Sequence, residues 1–279
     1  MQVVALYEVD LHCHTTASDG SLSPAELVRL AAELGLKGLG ITDHDTIKGW
    51  NEAEEAAAHY KLQLLKGIEL STDWLGKEVH ILGYELDSSS NYLKDKLRNL
   101  GEARQRRMLK ILERLRNQEV DISEEAIRKY AQGDSIGRPH IAQALMEKGY
   151  IRDIQEGFER YLGVGAPAYV PRFKLTPEEG IELIRKAKGV PVLAHPGMQR
   201  LEEGIPAWVE AGLKGIEVLH SEHKAQDVTR YKALAEHYNL LMTGGSDFHG
   251  EACKPGVELG RWGVSLRVLQ EIKELAKSN

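Results

Sequence analysis

Asp10-Leu11-His12-Cys13-His14 places two imidazoles two residues apart, behind an apolar stretch (Val3-Val4-Ala5-Leu6) that reads as a strand. Side chains alternate across a strand, so His12 and His14 project to one side with Asp10, and Leu11 and Cys13 face the other. Neutral imidazole is the commonest biological metal ligand, and a pair fixed at a rigid strand end is a start on a divalent-ion site. Two surface histidines near an N-terminus would be spelled the same way. The rest of the chain has to decide between these readings.

The elements that must carry such a site follow in a regular rhythm. Ser23-Pro24-Ala25-Glu26 is a capping box with proline at the first helical position, and the helix it opens stops at Gly35. Leu36–Ile41 reads as a strand, Glu52–Tyr60 as a helix, and Leu62–Ile68 and Val79–Tyr84 as further strands. The order β-α-β-α-β predicts parallel strands with right-handed crossovers. The rhythm returns with a second capping box at Thr176-Pro177-Glu178-Glu179. It continues through strands Val190–Ala194, Ile216–Leu219 and Leu240–Thr243, a helix around Trp208, another through Tyr231, and a last helix from about Ser265. Between the halves, residues 91–165 have helical patterning alone, with one long helix from Tyr92 to about Asn117 and shorter ones near Glu124, Pro139 and Ile154. The chain therefore reads as an α/β barrel (1–90 and 166–279) with a helical insertion.

Composition agrees with one such unit. The 279 residues are 42% apolar and 28% charged, as in an ordinary globular protein, and α/β barrels reach this size as one domain. A net charge of -6 argues against wholesale wrapping of nucleic acid. Two cysteines make no disulfide framework, and neither a signal peptide nor a membrane-length apolar run is legible, so a cytoplasmic protein is expected.

Most of the remaining polar punctuation falls at strand ends. His44 ends the second strand, Glu69 closes Gly67-Ile68-Glu69, His80 lies on the next strand, and His195 ends Val192-Leu193-Ala194. Asp247 and His249 follow in Ser246-Asp247-Phe248-His249. In a parallel barrel the C-terminal strand ends share one face, which is where active sites are built. His12, His14, Asp19, His44, Glu69, His80, His195, Asp247 and His249 then converge. Six imidazoles and three carboxylates exceed what one ion needs and suit two or three divalent ions. Without metal, pressing these groups together would cost solvation for little return.

These motifs, with Ser18-Asp19-Gly20, Thr42-Asp43-His44-Asp45, Val79-His80-Ile81-Leu82-Gly83-Tyr84 and Ala194-His195-Pro196, resemble the PHP (polymerase and histidinol phosphatase) superfamily in order and over nearly the whole chain. The resemblance implies a distorted (β/α)7 TIM-like barrel around a trinuclear centre of manganese, iron or zinc. It implies His12, His14, Glu69 and Asp247 on one ion, Asp19, His44 and His249 on a second, and Glu69, His80 and His195 on a third, with Glu69 bridging. Ile136-Gly137-Arg138-Pro139-His140-Ile141-Ala142 and Pro167-Ala168-Tyr169-Val170-Pro171 are similar to the branch containing nucleoside 3′,5′-bisphosphate phosphatases, some members of which are also 5′-to-3′ exoribonucleases. The resemblance further implies that the insertion covers the active site.

A metal-bound hydroxide attacking phosphorus in line with the leaving alkoxide is the expected chemistry, and no protein nucleophile is needed. Asp10 and Asp45 are candidates for orienting ligand imidazoles, or are plain capping and turn residues. Arg138, whose guanidinium fork matches phosphate, is the first candidate for substrate contact and His223 the second. Arg172 and Lys174 could also reach an anion. His59, His140, His220 and His237 read as structural. From Lys94 to Arg116 there are nine basic residues against three acids, a run that is either a solvated helix face or a rim for a polyanion. The expected substrate is a small phosphorylated nucleotide or a short RNA 5′ end. The other readings are a phosphatase for another small ester such as histidinol phosphate, and a non-catalytic PHP scaffold or proofreading-support module. No membrane and no obligate protein partner are expected.

Overall fold

The structure, a computed structural model, describes residues 5–130, 136–171 and 175–278. Its elements are β1 (Val9–Asp10), α1 (Pro24–Glu33), β2 (Gly38–Ile41), α2 (Trp50–Tyr60), β3 (Gln63–Trp74) and β4 (Lys77–Tyr84). Then come α3 (Asn91–Arg116), α4 (Glu124–Arg128), α5 (Arg138–Glu147) and α6 (Ile154–Gly157), which runs into a π-helical turn over Phe158–Leu162. The last are α7 (Pro177–Lys186), β5 (Val190–Leu193), α8 (Ile205–Ala211), β6 (Gly215–His220), α9 (Ala225–His237), β7 (Leu241–Gly245) and α10 (Leu266–Lys277). Both expected capping boxes form: Ser23 with Glu26 starts α1, and Thr176 with Glu179 starts α7. No described helix is long and apolar enough to cross a membrane.

The seven strands lie in the order β1 to β7. Backbone bonds between the segments after β1 and after β7 bring the first and last strands together: Asp247 N to His12 O at 2.9 Å and His14 N to Phe248 O at 2.8 Å. This nearly closed barrel is a mixed α/β fold. One expectation of the sequence is corrected here. β1–β3 and β5–β7 are parallel runs, but β4 is antiparallel to both its neighbours. β3 and β4 form a long hairpin because Leu75 and Gly76 both take left-handed φ (54° and 82°), the geometry of a tight primed turn. The lead-in was also placed too early. Leu6 is exposed and outside any strand, Met1–Val4 lie outside the described residues, and the strand is Val9–Asp10.

The chain divides into two compact units, Met1–Lys96 with Lys174–Asn279, and Leu97–Phe173. The boundaries expected from sequence lay at 90 and 165. The first turn of α3 stays with the barrel unit, where the Tyr92 ring meets Lys186 Nζ at 5.0 Å. At the other end, Ala168 and Val170 are buried in the helical unit's own core with Met108, Ile111, Leu112 and Leu115 of α3. A separate barrel core joins Val9, Leu11, Leu65, Leu82, Tyr84, Val190 and Val192 to Leu269 and Ile272 of α10.

Candidate metal centre

Leu11 and Cys13 are fully buried facing the core, so His12 and His14 are turned the other way, as alternation demands. They meet Glu69, which β3 carries past its pairing with β2. Glu69 organises the site. Its Oε2 lies 3.4 Å from His12 Nε2, 3.2 Å from His14 Nε2 and 3.0 Å from His44 Nδ1. Its Oε1 lies 2.8 Å from His80 Nδ1 and 3.0 Å from His195 Nε2. The antiparallel course of β4 explains His80: it sits early in its strand, opposite Ser71, and still reaches the end of the barrel where β3 delivers Glu69. His44 is held beside Glu69 by backbone bonds from Glu69 N to Asp43 O (3.2 Å) and from Asp45 N to Glu69 O (3.0 Å).

Asp247 Oδ1 completes the first group, 3.4 Å from His12 Nε2 and 3.2 Å from His14 Nε2. Asp19 gathers a second, with Oδ1 3.4 Å from His249 Nε2 and Oδ2 3.8 Å from His44 Nε2. All nine expected residues are thus brought together. Asp45, His195 and Asp247 have left-handed φ (51°, 26° and 57°), which sets the direction in which each side chain leaves the backbone.

The donor set fits divalent ions. His12 Nε2, His14 Nε2, His44 Nδ1, His80 Nε2 and Asp19 Oδ1 are buried with no hydrogen bond of proper geometry, although carboxylates stand close. Orphaned buried nitrogens facing carboxylates are costly unless a cation takes them up. The electrostatics agree. Burial opposes the charge on Glu69, but His80, His44 and His12 hold its carboxyl well below the usual range. Burial likewise opposes the charge on Asp247, and His12 and His249 hold it down. Burial drives His44 down to about 3, a neutral ligand imidazole. For His80 the Glu69 and Glu78 carboxylates outweigh burial and lift it to about 9.

Two further residues belong to the site and were not singled out as ligands or orienters. Glu217 is fully buried, with its oxygens 3.1 and 3.2 Å from His12 Nδ1, and Oε2 accepts His195 N at 2.9 Å. His220, read from sequence as structural, groups with them: its Nδ1 accepts Glu222 N at 3.1 Å, and its Nε2 points toward Asp247 Oδ2 at 3.6 Å. A carboxylate inside the apolar strand Ile216-Glu217-Val218-Leu219 and a histidine at its end were the available signals. The carboxylate that stands against the ring of His12 is that of Glu217. Asp10 accepts the backbone N–H of His12, Ser246 and Gly260, which fixes the barrel closure. Asp45 accepts Ser71 N at 3.1 Å.

The substrate candidates are placed as follows. In the helical unit, Arg138 opens α5, donates to Leu162 O at 3.1 Å and lies over the rings of Phe158 and Tyr169. His223 uses both ring nitrogens on backbone, accepting Gly197 N at 3.1 Å and donating to Val218 O at 2.9 Å, so it reaches an anion only by releasing one. His140 caps α5 by accepting Gly137 N. Arg172 and Lys174 lie outside the described residues.

Comparison with known proteins identifies the family. Residues 10–168 match the PHP domain. The 5′-3′ exoribonuclease Rnm of Escherichia coli is 36% identical over 90% of this chain and 88% of its own length. The 3′,5′-nucleoside bisphosphate phosphatase of Chromobacterium violaceum is 34% identical over 86% of this chain and 87% of its own. A crystal structure from Bifidobacterium adolescentis, described as a metal-dependent phosphoesterase, superposes with a TM-score of 0.88 at 34% identity over 97% of this chain and 96% of that one. By motif order, barrel and family match alike, the chain belongs to the PHP domain family.

Proposed function

We propose that this PHP-family hydrolase cleaves the phosphomonoester of small nucleotides, nucleoside 3′,5′-bisphosphates and AMP-like compounds, and trims short RNA from its 5′ end. The observation that carries the reading is the nine-residue cluster gathered on Glu69, whose two oxygens face separate sets of imidazoles. Two or three ions of manganese, iron or zinc would be held there, His12, His14, Glu69 and Asp247 around one, Asp19, His44 and His249 around a second, Glu69, His80 and His195 around a third. Such ions supply an activated water and neutralise charge developing on phosphoryl oxygens.

The remaining work falls to the chain. Glu217 takes the proton side of His12 at Nδ1 and leaves the Nε2 lone pair aimed at the cluster. Asp247 O does the same for His249 through Nδ1. His220 carries its proton on Nε2, because Nδ1 accepts Glu222 N–H, and so presents a donor at the edge of the site. Lys254 Nζ, 2.7 Å from Asp247 Oδ2 and 2.8 Å from Glu222 Oε1, fixes the outer oxygen of Asp247. Cys13 is buried and turned away, so its thiol does not compete as nucleophile. We assign Arg138 to the substrate phosphate, with His223 second.

A panel of adenosine 3′,5′-bisphosphate, AMP, histidinol phosphate and a short 5′-phosphorylated RNA, assayed with added Mn²⁺, tests the reading. The nucleotides and RNA should be preferred, and Arg138→Ala should raise KM for both. A clear preference for histidinol phosphate overturns the substrate class, and no turnover of any ester overturns the activity.

A further inference from the structure

We propose that the basic stripe of α3 within the helical unit is a binding groove for the backbone of single-stranded RNA, an inference that rests on the nucleotide and RNA reading above. Asn99, Ala103, Arg106, Arg107 and Lys110 recur at helical spacing and so share one face of α3. With Val170 and Pro171 as the facing wall, they line a cavity of about 380 Å³. The opposite stripe, Met108, Ile111, Leu112 and Leu115, is buried in the unit's core, which fixes the basic stripe outward. Arg107 is anchored at the wall through Nε to Val170 O at 2.8 Å, so its position is set before any ligand arrives.

A plain solvated helix face usually interleaves both signs of charge. Residues 97–116 instead carry seven cations (Arg98, Arg104, Arg106, Arg107, Lys110, Arg114, Arg116) and two acids (Glu102, Glu113). One ion pair on the stripe, Arg106 with Glu102 at 3.3 Å, is solvent-exposed and so exchanges readily for a phosphate. A row of cations along more than one helical turn offers successive backbone phosphates separate partners, which a mononucleotide cannot use in full. Among the described residues, no aromatic side chain lines the cavity. That described lining, cationic and without rings, reads backbone charge and not base identity.

The test is fluorescence anisotropy of labelled 12-nucleotide RNA against the full chain and the double variant Arg106→Ala, Lys110→Ala, at several KCl concentrations. Alanine keeps the helix, which circular dichroism checks. Wild-type affinity should fall steeply with salt. The variant should bind about tenfold more weakly, and its slope of log K against log[KCl] should be smaller by about 1.4, at ~0.7 per phosphate contact. In turnover, KM for the RNA should rise relative to KM for adenosine 3′,5′-bisphosphate. Equal affinity and equal slope for the two proteins overturn the groove, as does a strong preference for oligo(U) over oligo(A) or the reverse. Loss of bisphosphate turnover in the wild type would instead overturn the activity reading, while anisotropy still decides the groove.

Discussion

Glu217 shows how one carboxylate that touches no substrate can govern the centre. Its oxygens flank His12 Nδ1, and its Oε2 holds the backbone of His195, so it fixes two of the nine candidate ligands at once. Replacing it with glutamine keeps the volume and removes the charge that favours the Nδ1–H tautomer of His12. Partners of this kind typically contribute 10–100-fold in metal affinity or activity. Glu217→Gln should therefore lower ion affinity by about that factor, read by competition with a chelator, while far-ultraviolet circular dichroism stays unchanged. Unaltered loading and turnover would show Glu217 to be structural only. His80 makes a second, opposite case. Glu69 and Glu78 lift it to about 9, so in the ion-free protein it is protonated at neutral pH. Its raised value stabilises the ion-free fold fully below the ordinary imidazole pKa, near 6.5, and that contribution is lost as pH rises through about 9. Ion uptake must displace this proton, so affinity should climb with pH up to about 9 and calorimetry in buffers of different ionisation enthalpy should detect proton release at pH 7. No buffer dependence would contradict the assignment. His220 was misjudged at this scale: it satisfied the same strand-end criterion as the ligands, and its burial beside Glu217 and Asp247 sets it apart from the helical His59 and His237.

At the scale of elements, the residues of the centre were legible because their strands deliver them to one end of the barrel. The direction of β4 was not, since Val79–Tyr84 has the same apolar pattern whichever way it runs. The deciding residues are Leu75 and Gly76, whose paired left-handed φ turns the chain into a hairpin. Glycine alone signalled a turn there, and a leucine with positive φ carries no sequence signature. The barrel closure is likewise a matter of contact. A Cβ at Gly245 would lie 2.4 Å from His12 N and 2.4 Å from His12 Cβ, so the seam between the first and last strands admits no side chain. Gly245→Ala must push the His12 backbone away, at a cost of about 1–3 kcal/mol typical of overpacking. The urea midpoint should fall with little change in m, and ion loading should fall with it because His12 moves. A variant with wild-type midpoint and loading would mean that the seam yields freely.

At the scale of the molecule, the two units hold separate cores, one on Leu65, Tyr84 and Val192 and the other on Met108, Leu112 and Leu145. All nine candidate ligands, with Glu217 and His220, belong to the barrel unit, whose chain is interrupted by Leu97–Phe173. The helical unit contributes no residue to the groups that could hold an ion among the described residues. Anything that binds the folded state stabilises it by mass action, about 2.7 kcal/mol for one ion at a concentration 100 times its Kd. That gain acts on the unit that holds the ions. Removing them with a chelator should therefore lower protection from hydrogen exchange in β1–β7 and the loops carrying His12, Asp19, His195 and Asp247. Exchange in α4, α5 and the core-facing positions of α3 should stay as it was. Readding Mn²⁺ should restore the barrel signal and turnover together. Equal loss of protection in both units on chelation would refute this division and show that they unfold as one cooperative body.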